Sequence, residues 1–162
     1  LDLAVRYTDK RRAFGQEIRK YQGVSFKIAD AITQLDAARS ICYMAARAVD
    51  ENYPNVRRIV SEAKRFTTEA AWDVVNNAMQ VMGGIGYTDV YPIERALRDI
   101  RLGMIWTGTS EIMNLMIQHE YYNQVLDPAY DRRRMENDAM NPDSSERCFT
   151  DDDMQAVFGG GL

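Results

Sequence analysis

Two apolar stripes, each repeating in steps of three and four, leave few folds open to this chain. The first runs Ile28, Ala31, Ile32, Leu35, Ala38, Cys42, Ala45, Ala46, Val49, inside a stretch from Gln22 to about Asn52. The second runs Ile59, Val60, Ala63, Phe66, Ala70, Ala71, Val74, Ala78, Val81, Met82. Only an α-helix puts positions three and four apart on one face, so both stretches read as long amphipathic helices. Tyr53-Pro54 separates them, because proline disfavours helical geometry in the residue before it and can open the next helix. Helices of this length on so short a connection lie antiparallel, and their frequent alanines allow close approach. Neither stripe can be buried by the other alone. More helices are required.

The remainder of the chain supplies them. Leu1 to Thr8 reads as the end of a helix with no capping residue in front of it, so its beginning is expected before residue 1. Asp9 to Gln16 is basic, ends in Phe14-Gly15-Gln16, and reads as a loop. Pro92 to about Arg101 forms a short helix, with Pro92 at the first helical position and Ile93, Leu97 and Ile100 on one side. After a break at Leu102-Gly103, Ile112, Leu115, Met116, His119 and Tyr122 trace a last helix to about Val125. No strand is expected anywhere. The fold class is therefore all-α, an antiparallel four-helix-type bundle over residues 1–126.

From Asp127 the character changes. Residues 127–162 carry nine acidic and four basic residues with few apolar ones, and read as a polar extension, partly disordered or docked on a partner. Thr150-Asp151-Asp152-Asp153 resembles a helix N-cap there, with Met154, Val157 and Phe158 able to dock.

Composition removes several function classes. The net charge of −4 argues against a nucleic-acid binder driven by bulk charge. No run approaches the roughly 18 apolar residues of a membrane span. Cys42 and Cys148 are too few and too far apart for a disulfide framework, so a reducing compartment is expected, with Cys42 a small buried thiol on an apolar face. His119 is the only histidine, which disfavours a histidine metal site or a Ser-His-Asp triad. The chain starts at Leu1 without an initiator methionine or a secretory leader pattern, and reads as a fragment or a processed product.

The chemistry-bearing stretch is Gln80-Val81-Met82-Gly83-Gly84-Ile85-Gly86-Tyr87. Its glycines permit positive φ and close backbone approach, which serve a helix end or a phosphate contact equally well. Three further signals keep it company: Arg11-x-Ala13-Phe14-Gly15, then Tyr21-Gln22, and finally Tyr91-Pro92-Ile93-Glu94-Arg95 through Arg98-Asp99 to Gly108-Thr109-Ser110-Glu111. In order, spacing and helical context the four together resemble the C-terminal helical domain of the acyl-CoA dehydrogenases, over about Leu1 to Val125.

That resemblance implies a flavoprotein of three parts, of which this bundle is one, assembled as a homodimer or dimer of dimers through these helices. FAD is the implied cofactor, an acyl-CoA the substrate, an electron-transfer flavoprotein the partner, and the cytoplasm or a mitochondrial matrix the compartment. Arg11 would approach the pyrophosphate of the neighbouring subunit's FAD, where a guanidinium suits a diphosphate. Phe14 would pack near the adenine end, and Gln22 would hydrogen-bond the cofactor. Gln80, Gly83 and Gly84 would offer a side-chain amide and backbone N–H groups. Thr109, Ser110 and Glu111 would face the FAD of the same subunit, and Gly108 would help receive the substrate thioester. The fragment alone is expected to self-associate, to hold FAD weakly or not at all, and to be inactive.

One position departs from the family pattern. The implied reaction removes a weakly acidic α-proton, which requires a placed carboxylate. Many members carry Glu just before the Gly-Thr of the last motif; here Thr107 stands there, preceded by Trp106. Some members, similar to the isovaleryl and long-chain enzymes, place the base on the preceding helix, which would lie upstream of Leu1. The alternatives are a non-catalytic or repurposed assembly module that keeps the fold, and an acyl-CoA oxidase. Glu94 reads as an ion-pair partner for Arg98 rather than as a base.

Overall fold

The computed structural model describes residues 1–126, and the expectations for 127–162 lie outside the described residues. In chain order they form α1 (Asp2–Lys10), β1 (Arg12–Ala13), β2 (Gln16–Glu17), a 3-10 turn (Ile18–Lys20), α2 (Gln22–Asp50), α3 (Val56–Met82), α4 (Gly84–Tyr87), α5 (Ile93–Gly103) and α6 (Ser110–Leu126). The two long helices stand where the stripes place them. Asn52 turns the chain between them with φ 53. Pro92 sits at the N-cap of α5, one position ahead of the expected first helical residue.

α3 is the axis of the bundle. It packs most extensively against α2, then against α6 and α5, and also touches α1 and α4. Two small cores lie near its ends. One gathers Ala4, Ala78, Val81, Met82 and Ile93, flanked by Tyr7, Val24, Ile28 and Tyr91. The other gathers Ala45, Ala48, Ile59 and Ala63, flanked by Ile41, Tyr53 and Val56. Burial of side chains such as Ile59, Met82 and Ile93 stabilises by about 1.5–3 kcal/mol each.

The α2 stripe divides in a way the sequence pattern does not separate. Ala31, Ala38, Ala45 and Ala48 are buried, with Ile28 and Leu35 half-buried beside them. This seven-residue step is the narrow seam of two closely packed helices. Ile32, Cys42 and Val49 lie on its flank, exposed. The buried thiol expected at Cys42 is therefore corrected: the seam needs only alanine-sized side chains, and Cys42 stands beside it, exposed.

α6 stands where its pattern places it, and the structure selects its inward side. Met113, Met116 and Ile117 are its half-buried apolar residues, and Gln124 is buried. Ile112, Leu115, His119 and Tyr122, which trace the helix in the sequence, are exposed. The helix is apolar on both sides, so periodicity alone could not choose between them.

A second correction concerns strands. Arg12 and Ala13 pair antiparallel with Glu17 and Gln16 in a minimal hairpin where no strand was expected. Phe14 (φ 51) and Gly15 (φ 88) form its two-residue turn, the left-handed geometry that matches strand twist. Local bonds hold it. Arg12 donates to Glu17 Oε1 at 2.6 Å and to the Gly15 carbonyl at 3.0 Å, while the Tyr21 hydroxyl donates to the carbonyls of Ala13 (2.9 Å) and Phe14 (3.1 Å).

Candidate functional site

At the C-terminal end of α3 the bundle opens into a cleft of about 550 Å³. Arg11, Lys27, Gln80, Gly83 and Gly84 line it, with Tyr7 and Ile18 among its walls and no carboxylate in its lining. Each comes from a different local cause. Arg11 caps α1, its N–H bonded to the Tyr7 carbonyl at 2.9 Å and its own carbonyl accepting from Ile18 N–H at 2.9 Å. Its backbone is thus fixed at both atoms while its side chain has no ion-pair partner among the described residues. The adjacent Arg12 is consumed by the hairpin.

Gly83 ends α3 with φ 67 and ψ −151, a backbone region that only glycine enters cheaply. The turn leaves the first N–H groups of the short α4 without intrahelical acceptors. Gly86 is required for a different reason. A Cβ there would stand 2.8 Å from the Met79 carbonyl oxygen and 3.0 Å from Met82 Cβ, so α4 folds back directly onto the last turn of α3. Lys27 is the member that sequence reasoning missed. It is half-buried on α2, one helical turn after Gly23, with no carboxylate bonded to it among the described residues. A helical wheel drawn through Gly23 and Val24 could have raised it, but a lone lysine on a helix is ordinarily solvated surface.

Gln22 opens α2 next to this cleft without lining it, and Phe14 stands at the hairpin tip, 97% exposed and edge-on to Tyr21. Apart from that ring contact, Phe14 is displayed to solvent among the described residues.

The second cluster lies elsewhere. Thr107 and Gly108 both adopt positive φ, at 49° and 95°. For a β-branched threonine this is an outlier that surrounding structure must hold. Thr109 caps α6, its Oγ1 accepting from Ile112 N–H at 3.3 Å, and Ser110 N–H reaches back to the Met104 carbonyl at 3.1 Å. Ser110 Oγ is buried with no hydrogen-bond partner among the described residues. Glu111 in the first turn has its carboxyl held below the usual range, first by the Thr109 hydroxyl, then by its own backbone N–H and the charges of Arg101 and Lys64. Lys64 of α3 donates to the Gly108 carbonyl, a contact no sequence pattern points to.

Sixteen positions of α3 separate Lys64 from Gln80, a spacing of about 24 Å along the helix. The structure therefore brings Arg11, Gln80, Gly83 and Gly84 together and Gly108, Thr109, Ser110 and Glu111 together, but not the two sets. Glu94 pairs with Arg98, as the i,i+4 spacing predicts. Among the described residues no cluster of His, Cys, Asp and Glu could hold a metal ion, and no helix is long and apolar enough to cross a membrane.

Comparison with known proteins identifies the family. Residues 1–122 match the family model of the acyl-CoA dehydrogenase C-terminal domain. The mitochondrial short-chain specific acyl-CoA dehydrogenase of Sus scrofa is 41% identical over 117 residues, which are 72% of this chain and 28% of that protein. An acyl-CoA dehydrogenase of Bacillus subtilis is 42% identical over 117 residues, 72% of this chain and 31% of the relative. The solved butyryl-CoA dehydrogenase of Megasphaera elsdenii shares the fold at a TM-score of 0.70 and 36% identity, over 73% of this chain and 30% of that one. The chain thus spans about three tenths of the length of the curated relatives it matches. It belongs to the acyl-CoA dehydrogenase family of flavoprotein oxidoreductases, and its described helices are that family's C-terminal domain.

Proposed function

We propose that this chain is the cofactor-contacting and subunit-bridging part of an enzyme that carries out α,β-dehydrogenation of an acyl-CoA thioester with FAD. One observation carries the reading. A cleft with two cations, a glycine turn and no carboxylate in its lining is matched to a phosphate-bearing ligand, because neither cation in it has an acid partner among the described residues.

The residues present fit the cofactor. Arg11 and Lys27 neutralise a diphosphate, the Gly83-Gly84 turn gives it close backbone approach, and Gln80 adds an amide. Gln22 stands beside the cleft and Phe14 at the hairpin tip, available to the remainder of the same ligand. Ser110 Oγ, buried and unbonded among the described residues, has a hydroxyl to give to a second stretch of cofactor, with Thr109 and Glu111 beside it. FAD, when bound, supplies the acceptor for the hydride leaving the substrate Cβ. The separation of about 24 Å along α3 suits two cofactors, one belonging to this subunit and one to a neighbour.

Assembly follows from the surface. Ile32, Tyr43, Met44 and Val49 on α2, with Ile112, Leu115 and Tyr122 on α6, leave large apolar side chains exposed along two helices. Such area on so thin a core favours helix-to-helix association with further copies. An electron-transfer flavoprotein is the proposed acceptor of the electrons, in the cytoplasm or a mitochondrial matrix.

Thr107 cannot serve as the base, since a threonine hydroxyl is too weakly basic to take the α-proton. We place that carboxylate outside this chain. The same residue favours the second reading, an assembly module that keeps the fold without turnover. Anaerobic addition of a panel of acyl-CoAs to the full-length parent, following the visible flavin band, separates the two. Bleaching with one chain length or more is expected. A protein that holds FAD and bleaches with none is the non-catalytic module.

A further inference from the structure

The loop Thr107-Gly108-Thr109 carries two consecutive positive-φ residues, and besides the Thr109 cap and the Ser110–Met104 bond it is restrained from α3. Thr107 at φ 49 and Gly108 at φ 95 turn the Gly108 carbonyl toward that helix, where the half-buried Lys64 donates to it across 44 positions of sequence. One turn further along α3, Thr68 closes the other side. A Cβ on Gly103 would lie 3.2 Å from Thr68 Cγ2, so the end of α5 is pressed against the same ridge. Thr68 Oγ1 in turn donates to the Lys64 carbonyl at 3.0 Å. A Cβ on Gly108 would come within 2.6 Å of Met113 Cε, the movable end of a flexible side chain, so it is the φ of 95 rather than the space that calls for glycine there.

We infer that Lys64 is a positioning residue that clamps this loop. Its ammonium fixes the direction of the Gly108 carbonyl and hence the plane of the peptide that follows, whose N–H belongs to Thr109. The same charge adds a small share to the lowering of the Glu111 carboxyl, after the Thr109 hydroxyl, the backbone N–H and Arg101. A single carbonyl has one donor to satisfy it here, and an ammonium bond to it is about twice as strong as a neutral one. The clamp rests on the reading above only for its consequence, namely that Gly108 and Thr109 face the substrate thioester and the flavin.

The test uses the full-length parent with Lys64→Met and Lys64→Arg. Amide hydrogen exchange over residues 104–113 is expected to rise about tenfold in Lys64→Met, the effect of losing one charge-assisted bond, and to return toward the parent in Lys64→Arg. Exchange over residues 83–86 should not change. Under turnover, KM for the acyl-CoA should rise with the loosened loop while bound FAD per subunit stays constant. Unchanged exchange over 104–113 in a folded Lys64→Met overturns the clamp. If that variant does not fold, Lys64→Gln replaces it: faster exchange confined to 104–113 supports the clamp, and a uniform rise across the chain overturns it. Local loosening in a parent that dehydrogenates nothing leaves the clamp standing and removes the dehydrogenase reading.

Discussion

Two lysines on the bundle have opposite fates. Lys64, in the first third of α3, is bonded to a backbone carbonyl of its own chain, and Lys27, near the start of α2, lines an open cleft with no acid in its lining. The neighbours Arg11 and Arg12 repeat the contrast within one turn of chain. Arg12 is tied to Glu17 and to the Gly15 carbonyl, whereas Arg11 lines the cleft with no ion-pair partner among the described residues. A cation whose partner is already in the fold does structural work, and one that lines a cleft without an acid is available to a ligand. Sequence type says nothing about which fate a residue has. Neighbouring geometry decides it.

The contrast can be broken most severely at the glycines that shape the cleft. Gly86→Ala should destabilise the domain by about 1–3 kcal/mol, because its Cβ meets the α3 backbone, which cannot give way. Chemical denaturation checks this, and an unchanged midpoint would remove the tight α3–α4 return from the account. Gly83→Ala has open space for its methyl group but must hold φ 67 and ψ −151. Strain of about 1–3 kcal/mol is expected there too, or else a turn that rearranges and shifts the amide signals of residues 83–86.

The smallest effect concerns the hairpin that keeps Arg12 occupied. The Glu17 carboxyl is lowered from 4.5 to about 2, first by the bond from Lys20, then by its own backbone and the charges of Arg12 and Lys20. A depressed carboxylate contributes fully above its unfolded value and loses that contribution as pH falls from about 4.5 toward 2. A titration of the Glu17 side chain by NMR should therefore show a midpoint near the lower figure. An ordinary midpoint would mean that the Lys20 and Arg12 contacts to Glu17 do not persist in solution.

The helices were legible because their cause is local and repeated. Periodicity places α2, α3 and α5 within a few residues, and Gly83 ends α3 as its sequence suggests. The hairpin was not legible, because two-residue strands have no period and depend on Tyr21 and Glu17 reaching back to them. The inward face of α6 was not legible either, since Ile112 and Leu115 are as apolar as Met113 and Ile117. Among site residues, the glycines and Arg11 stand in recognisable motifs. Lys27 and Lys64 do not, because what distinguishes them is the absence of an acid in one case and a carbonyl 44 positions away in the other.

The most direct test compares the two adjacent arginines in the full-length parent. FAD bound per subunit is measured at limiting free FAD for Arg11→Ala and Arg12→Ala. Loss of a charge-assisted contact to phosphate should weaken retention by about ten- to a hundredfold in Arg11→Ala. Arg12→Ala should change it less than about twofold, as expected for an exposed ion pair. Equal retention in both, or a larger loss from Arg12→Ala, would contradict the assignment of the cleft to the cofactor.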